Sequence, residues 1–184
     1  MPKQTGGNAL LDVNFIMKKA GISERMKVAD FGCGASGHFV FPASKLVGNQ
    51  GVVYAVDILK TSLETLDKRI NQENIKNIQT VWSDLEIYRA TKIDGGSLDI
   101  GLLINTLYQS HKRIEVIRES VRMVKQGGKI MVVEWEDASL PFGPPAEERV
   151  KIDALKKVAQ KLGLKMIEEF DAGEYHYGVI FEKL

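Results

Sequence analysis

A single cysteine, Cys33, in 184 residues excludes a disulfide framework and a cysteine-rich zinc site. The three histidines, His38, His111 and His176, are dispersed and lack the cysteine or carboxylate spacing of a metal centre, so no metal is expected. No apolar run approaches the ~18 residues of a membrane span, and no N-terminal stretch has the charged start and apolar core of a secretory signal. Neither sign of charge prevails. With 25 Lys+Arg against 24 Asp+Glu the formal net charge is +1, which gives no global field to draw nucleic acid or an anionic membrane. Cys33 sits between glycines with no lysine or arginine beside it to favour the thiolate, and reads as a small space-filler. What remains is one soluble domain over residues 1–184, expected in a reducing cytoplasm and long enough to bury a substantial core.

Against those absences one segment stands out. Residues 28–37 read Val-Ala-Asp-Phe-Gly-Cys-Gly-Ala-Ser-Gly, an apolar strand running into Gly32, Gly34 and Gly37 at G-x-G-x-x-G spacing. Glycines there allow a tight turn and let a ligand approach the backbone. Lys27 to Phe31 reads as a buried strand, Gly37 to Leu46 as a helix, and Gly51 to Ile58 as a second strand ending in Asp57. A β-α-β unit with an acid at the end of its second strand suits a ribose diol.

Strand and helix signals alternate along the rest. Asn8 to Ala20 reads as an amphipathic helix with Leu11, Phe15 and Ile16 on one side, closed by Gly21. Thr61 to Ile70 is helical, Ile78 to Trp82 a short strand, and Ser97 to Ile104 a longer one. A helix over Arg113 to Val124, with Ile114, Ile117, Val121 and Val124 at helical spacing, ends near Gly127-Gly128, and strand Lys129 to Trp135 follows. A last helix, Asp153 to Leu162 with Gly163 as its stop, leads to extended runs at Lys165 to Phe170 and Tyr177 to Phe181, with Asp171-Ala172-Gly173 as hairpin signal. Repeated β-α units predict a parallel sheet wrapped by helices on both faces, with ligands at the carboxyl ends of its strands. The closing hairpin forces one strand antiparallel.

Two features separate candidate cofactors. Nicotinamide-binding domains usually lack a closing hairpin, and Asp30 beside the glycine loop would repel a pyrophosphate. A cofactor with a cationic amino group and a sulfonium would welcome that carboxylate. The chain resembles the class I S-adenosylmethionine-dependent methyltransferases, in particular the type 11 and ubiquinone/menaquinone-methyltransferase-like group. The motifs that carry the likeness are Val28-Ala29-Asp30-Phe31-Gly32-Cys33-Gly34, Val56-Asp57, Ser83-Asp84-Leu85, Leu98-Asp99 through Asn105, and Lys125-Gln126-Gly127-Gly128-Lys129. The resemblance implies a Rossmann-like α/β fold, with a seven-stranded, mostly parallel sheet of order 3-2-1-4-5-7-6, strand 7 antiparallel, over a core at residues 25–184.

The resemblance also implies residue roles. Asp30, Phe31, Gly32, Cys33 and Gly34 would pass beneath the methionine part of S-adenosylmethionine, with Asp30 close to its ammonium. Asp57 would accept from both ribose hydroxyls, since a carboxylate has two acceptor oxygens for two neighbouring donors. Asp84, after Ser83, would read the adenine amine while Leu85 and Ile58 pack on the ring, and Asn105 would face the sulfonium. Residues 1–24 would form a helical lid or cover, with Thr5-Gly6-Gly7 as hinge for a lid over residues 1–20 whose closure would bury Phe15.

The acceptor side carries weaker signals. Asn105 to Gln109 and Glu134 to Asp137 follow the fourth and fifth strands, so these loops should choose the substrate. Asn105-Thr106-Leu107-Tyr108 keeps the outer residues of the Asn-Pro-Pro-Tyr box of nucleic-acid amino-methyltransferases but lacks both prolines. If the acceptor must lose a proton, Tyr108, His111, Glu134 and His176 are the candidate bases. Leu140-Pro141-Phe142-Gly143-Pro144-Pro145 reads as a stiff connection, either roofing the pocket or only positioning the last helix. Lys112-Arg113, Arg118, Arg122 and Lys125 read as a solvated helix face, with a nucleic-acid patch as the alternative. The expected activity is methyl transfer to a small-molecule acceptor by in-line displacement. RNA or protein methylation, a non-catalytic S-adenosylmethionine-binding role and nicotinamide-dependent oxidoreduction are the alternatives.

Overall fold

The computed structural model describes residues 7–137 and 142–184. Seven strands form one sheet: β1 (Lys27–Phe31), β2 (Val52–Asp57), β3 (Ile78–Trp82), β4 (Leu98–Ile104), β5 (Val124–Trp135), β6 (Leu164–Gly173) and β7 (His176–Lys183). Their order is β3-β2-β1-β4-β5-β7-β6. The pairs from β3 to β5 are parallel, and β7 runs antiparallel between β5 and β6. Among described residues the helices are α1 (Val13–Ala20), α2 (Val40–Val47), α3 (Lys60–Gln72), α4 (Arg113–Met123) and α5 (Ile152–Lys161).

Central strands buried on both faces explain the near-continuous apolar runs in the sequence. Residues of alternate parity enter separate cores. Val28, Leu102, Met131, Val133 and Ile180 pack with α1, α2 and α3 on one face. Ala29, Phe31, Leu103, Val132 and Val179 pack with α4 and α5 on the other.

Several boundaries differ from expectation, each for a local reason. The first helix is broken: Gly7–Leu10 is a 3-10 turn, and α1 starts only after Asp12, whose Oδ1 accepts from the Phe15 N–H at 3.1 Å. Asp12 is the N-cap signal that the apolar periodicity overran. Gly21, with φ of 70°, ends the helix as its position predicts. Helix α2 begins at Val40 and not Gly37, because Gly37 has φ of 58° and a β-carbon there would lie 2.7 Å from Leu66 and Phe41 atoms. Val124 belongs to β5, so α4 passes directly into a strand with no glycine stop, and Ile114 is exposed instead of facing the core. Asp171, Ala172 and Gly173 lie within β6; Gly173 pairs with His176, which leaves Glu174 and Tyr175 as the two-residue turn.

The cationic face of α4 is partly structural. Arg122 donates to both oxygens of the buried Glu119 at 2.8 Å and to the Ile93 and Thr91 carbonyls at 3.0 Å. Arg113 bonds the Leu107 and Glu148 carbonyls. The solvated-face reading therefore fails at Arg122 and Arg113, whose guanidinium groups tie loops to the helix.

Of the proline-rich connection, Leu140 and Pro141 lie outside the described residues, as do Thr5 and Gly6 of the expected hinge. The remainder is pinned from below. The buried Arg149 bonds the carbonyls of Pro144 (3.1 Å), Glu136 (3.0 Å) and Phe142 (3.4 Å).

Candidate functional site

The carboxyl ends of β1 to β4 open onto a cleft of about 410 Å³, within the size range of small-molecule sites. Gly32, Gly34, Asp57, Ile58, Ser83, Asp84 and Leu85 line it, together with Leu59, Ser62, Glu86, Thr106, Gln109, Ser110 and Val116. The first seven were expected as cofactor residues, and Thr106 and Gln109 belong to the β4 loop expected to choose the substrate. Leu59, Ser62, Glu86, Ser110 and Val116 were not expected, because they are brought in by α3, α4 and the loops after β2, β3 and β4, whose placement depends on the sheet order.

Local backbone chemistry shapes the glycine loop. Gly32 has φ of 79°, and a β-carbon there would sit 2.7 Å from Thr106 Cγ2. Thr106 in turn donates from Oγ1 to the Phe31 carbonyl at 2.8 Å, which draws the β4 loop against the glycine loop. Gly34 has φ of 62° and nothing within 4 Å of a β-carbon, so any side chain there would project into the cleft.

Asp57 closes β2 and is 7% exposed. Its Oδ2 accepts from the Gly34 N–H and its Oδ1 from the Leu59 N–H, both at 2.8 Å. A carboxylate offers about four lone-pair positions, so a vicinal pair of hydroxyls can still be received. Fastening the glycine loop is a second job for Asp57 that the sequence did not announce. Asp84 makes a tight turn, with Oδ1 accepting from the Glu86 N–H at 2.9 Å. Ser83 Oγ lies 2.9 Å from Thr91 Oγ1. Glu119 fixes that loop from behind, accepting from the Arg89 N–H (2.8 Å) and the Thr91 N–H (3.1 Å).

Asp30, Phe31, Cys33 and Asn105 do not line this cleft. The Phe31 side chain is fully buried in the α4/α5 core, and Cys33 lies in the opposite core. Burial, then Asp30 and Asp57, push the Cys33 thiol far up, so it stays protonated. Asp30 is buried at the end of β1; desolvation first and Asp57 second raise its pKa to about 7. Asn105 adopts φ of 53° at the end of β4, a left-handed conformation that asparagine tolerates better than most non-glycine residues. Its Nδ2 donates to Asn8 Oδ1 at 2.9 Å, so the N-terminal segment reaches over it.

The candidate bases separate. Glu134 was expected at the mouth; it is fully buried beneath the β4 loop, with Oε1 accepting from the Leu107 N–H at 2.6 Å. Burial outweighs the Leu107, Tyr108 and Thr106 backbone donors and raises its pKa to about 8. It is an anchor for the loop. Tyr108 is half-buried against the α4/α5 core, its pKa raised by burial and then by Glu134 and Glu148. His111 is exposed in a separate open hollow at the start of α4. His176 is 1% exposed, its ring centroid 4.4 Å from that of Trp135, and burial lowers its pKa to about 4.

Among the described residues, the buried side-chain polar atoms without a partner are His38 Nε2, Asn105 Oδ1, Glu134 Oε2, Trp135 Nε1 and both ring nitrogens of His176. Every one belongs to a residue near the carboxyl edge of the parallel strands. Leaving such an atom without any partner costs about 1–3 kcal/mol, and these atoms lie at the edge where open sheets of this kind bind ligands.

Residues 10–177 match the ubiE/COQ5 methyltransferase family. A demethylmenaquinone methyltransferase of Lactococcus lactis subsp. lactis (strain IL1403) is 27% identical over 132 residues, covering 72% of this chain and 51% of the relative. The aklanonic acid methyltransferase DauC of Streptomyces sp. (strain C5) is 37% identical over 121 residues, 65% of this chain and 53% of that protein. The chain thus spans about half the length of these curated relatives. The crystal structure of a SAM-dependent methyltransferase from Aquifex aeolicus superposes with a TM-score of 0.86 at 22% identity, covering 98% of this chain and 94% of that one, and shows the shared fold.

Proposed function

The chain belongs to the ubiE/COQ5 methyltransferase family, and from that premise we propose that it methylates a small oxygenated aromatic molecule, using S-adenosylmethionine as methyl donor. The observation that carries the cofactor half is Asp57: its carboxylate lines the cleft, fixed by two backbone donors, with acceptor capacity left for a ribose diol. The acceptor class rests on the relatives, whose names specify demethylmenaquinone and aklanonic acid.

The residues present fit the cofactor. The glycine cradle would fill if Gly34 carried a side chain. Asp84 and the exposed Ile58 and Leu59 offer a polar edge and an apolar rim for adenine. Asp30, once ionised, supplies the counter-charge for an ammonium. When bound, S-adenosylmethionine supplies a methyl group on a sulfonium whose leaving group is a neutral thioether. The protein then has to orient the acceptor in line and keep water out, so positioning carries much of the rate.

Two arginines on α4 are spent on internal bonds, which favours a small acceptor over RNA. Calorimetry with S-adenosylmethionine and S-adenosylhomocysteine tests the reading. Binding of both, weakened in Asp57→Ala, is expected; no binding by the wild type would end it.

A further inference from the structure

Beside the cofactor cleft, three consecutive strands end in polar side chains that the protein leaves unsatisfied. Asn105 follows β4, Trp135 closes β5 and His176 opens β7. Trp135 and His176 are direct partners in the β5–β7 register, their ring centroids 4.4 Å apart, and are 3% and 1% exposed. Trp135 Nε1 and both nitrogens of His176 are buried without a hydrogen-bond partner, as is Asn105 Oδ1.

The Gly7–Leu10 segment touches the strand ends on either side of them. At one side Asn8 Oδ1 accepts from Asn105 Nδ2 at 2.9 Å. At the other, a β-carbon at Gly173 on β6 would lie 3.6 Å from the Leu10 carbonyl oxygen. A segment bonded to the end of β4 and lying beside the end of β6 spans the ends of β5 and β7, which lie between those strands in the sheet. Phe142, 6.2 Å from Trp135 and 4.8 Å from Tyr175 by ring centroids, adds flat apolar surface.

Leaving three ring nitrogens unpaired is costly, and apolar rings of the same shape would be more stable there in the free protein. A bound ligand can supply those partners. The indole N–H only donates, while a neutral imidazole donates from one nitrogen and accepts at the other. Together they complement a planar molecule carrying both a hydroxyl and an acceptor oxygen.

We propose that Trp135 and His176, beneath the Gly7–Leu10 strap, form the acceptor-binding pair: the imidazole accepts from a ring hydroxyl of the acceptor and the indole N–H donates to one of its oxygens. This rests on the methyltransferase reading above. Glu134 takes no part, since it lies in the opposite register parity among the α4/α5 residues.

The test uses naphthohydroquinone, kept reduced under anaerobic conditions, titrated into the protein saturated with S-adenosylhomocysteine. His176→Phe and Trp135→Phe each keep an aromatic ring and remove the nitrogens. Both variants are expected to bind S-adenosylhomocysteine as the wild type does and to lose naphthohydroquinone affinity by about tenfold or more. His176→Phe should also melt at the same temperature or higher, a result that a purely structural histidine would not give. Should one variant fail to fold, the other decides. Unchanged naphthohydroquinone affinity, or a wild type that binds S-adenosylhomocysteine but not naphthohydroquinone, overturns the proposal. A wild type that binds neither ligand removes the cofactor reading and this inference with it.

Discussion

The two halves of the carboxyl edge are built differently. At the ends of β2 and β3 the polar side chains hold each other and the backbone: Asp57 fastens the glycine loop, Asp84 turns its own chain, and Glu119 secures the Ser83–Thr91 loop through Thr91 and Arg122. At the ends of β4 and β5 and the start of β7, Asn105 Oδ1, Glu134 Oε2, Trp135 Nε1 and both His176 nitrogens have no partner, although Asn105 Nδ2 and Glu134 Oε1 are bonded. The first half is preorganised before a ligand arrives, which lowers the cost of ordering it on binding. The second half keeps its hydrogen-bonding capacity in reserve, and that suits a site whose ligand contributes the missing partners. A shared cofactor and a variable acceptor can impose such a division on one fold.

That contrast can be broken most forcefully at Glu119. Replacing it with alanine strands the largely buried Arg122 and releases the Arg89 and Thr91 amides, so Glu119→Ala should lose about 3–5 kcal/mol of stability in denaturant unfolding. A loss below 1 kcal/mol would mean that the cofactor half is not held by this network. Next in size is Asp57→Ala, which removes the ribose acceptor and the Gly34 staple together. Affinity for S-adenosylhomocysteine should fall by about 2–4 kcal/mol, read by calorimetry, while naphthohydroquinone affinity of the apoprotein changes little. Equal losses for both ligands would erase the distinction between the halves.

A smaller effect follows from Asp30. In the free protein burial and Asp57 hold its pKa at about 7, and an ammonium is best received by the ionised form. Binding lowers that pKa, so affinity is full above pH 7 and falls as pH drops through it, by up to about tenfold per pH unit. Asp30→Asn should bind weakly with a flat profile over the same range. A wild-type affinity that does not vary between pH 5.5 and 8 would detach Asp30 from the ammonium. The least change is expected in the N-terminal cover. Ile16, Met17 and Ala20 are buried and Lys19 pairs with Glu168, so α1 should resist hydrogen exchange with or without ligand. Only Gly7–Leu10 is expected to gain protection on ligand binding. Phe15 remains 36% exposed beside Phe170, at 5.9 Å between ring centroids, so its further burial is not required for that response. Ligand-dependent protection throughout Val13–Ala20 would instead support the lid over residues 1–20 moving as a whole.

Features set by nearby residues were legible in the chain. Gly32 and Gly34 have the positive φ their spacing suggests, and Asp57, Ser83 and Asp84 stand at successive strand ends. Alternating β and α signals with a closing hairpin already required a mostly parallel sheet, because backbone conformation and hydrophobic period are short-range properties. The strand order itself needed the family likeness.

Tertiary structure alone decided where each strand-end side chain lies. Glu134 and Trp135 are neighbours, yet one residue of strand parity sends the glutamate beneath the β4 loop and sets the indole against His176 on the other side. Asn8 meets Asn105 across 97 positions, and Glu119 holds the backbone of residues 28 and 30 positions away. No local pattern encodes such contacts. They exist because seven strands assemble in one order, and the register of that sheet determines which polar atoms find partners in the chain and which do not.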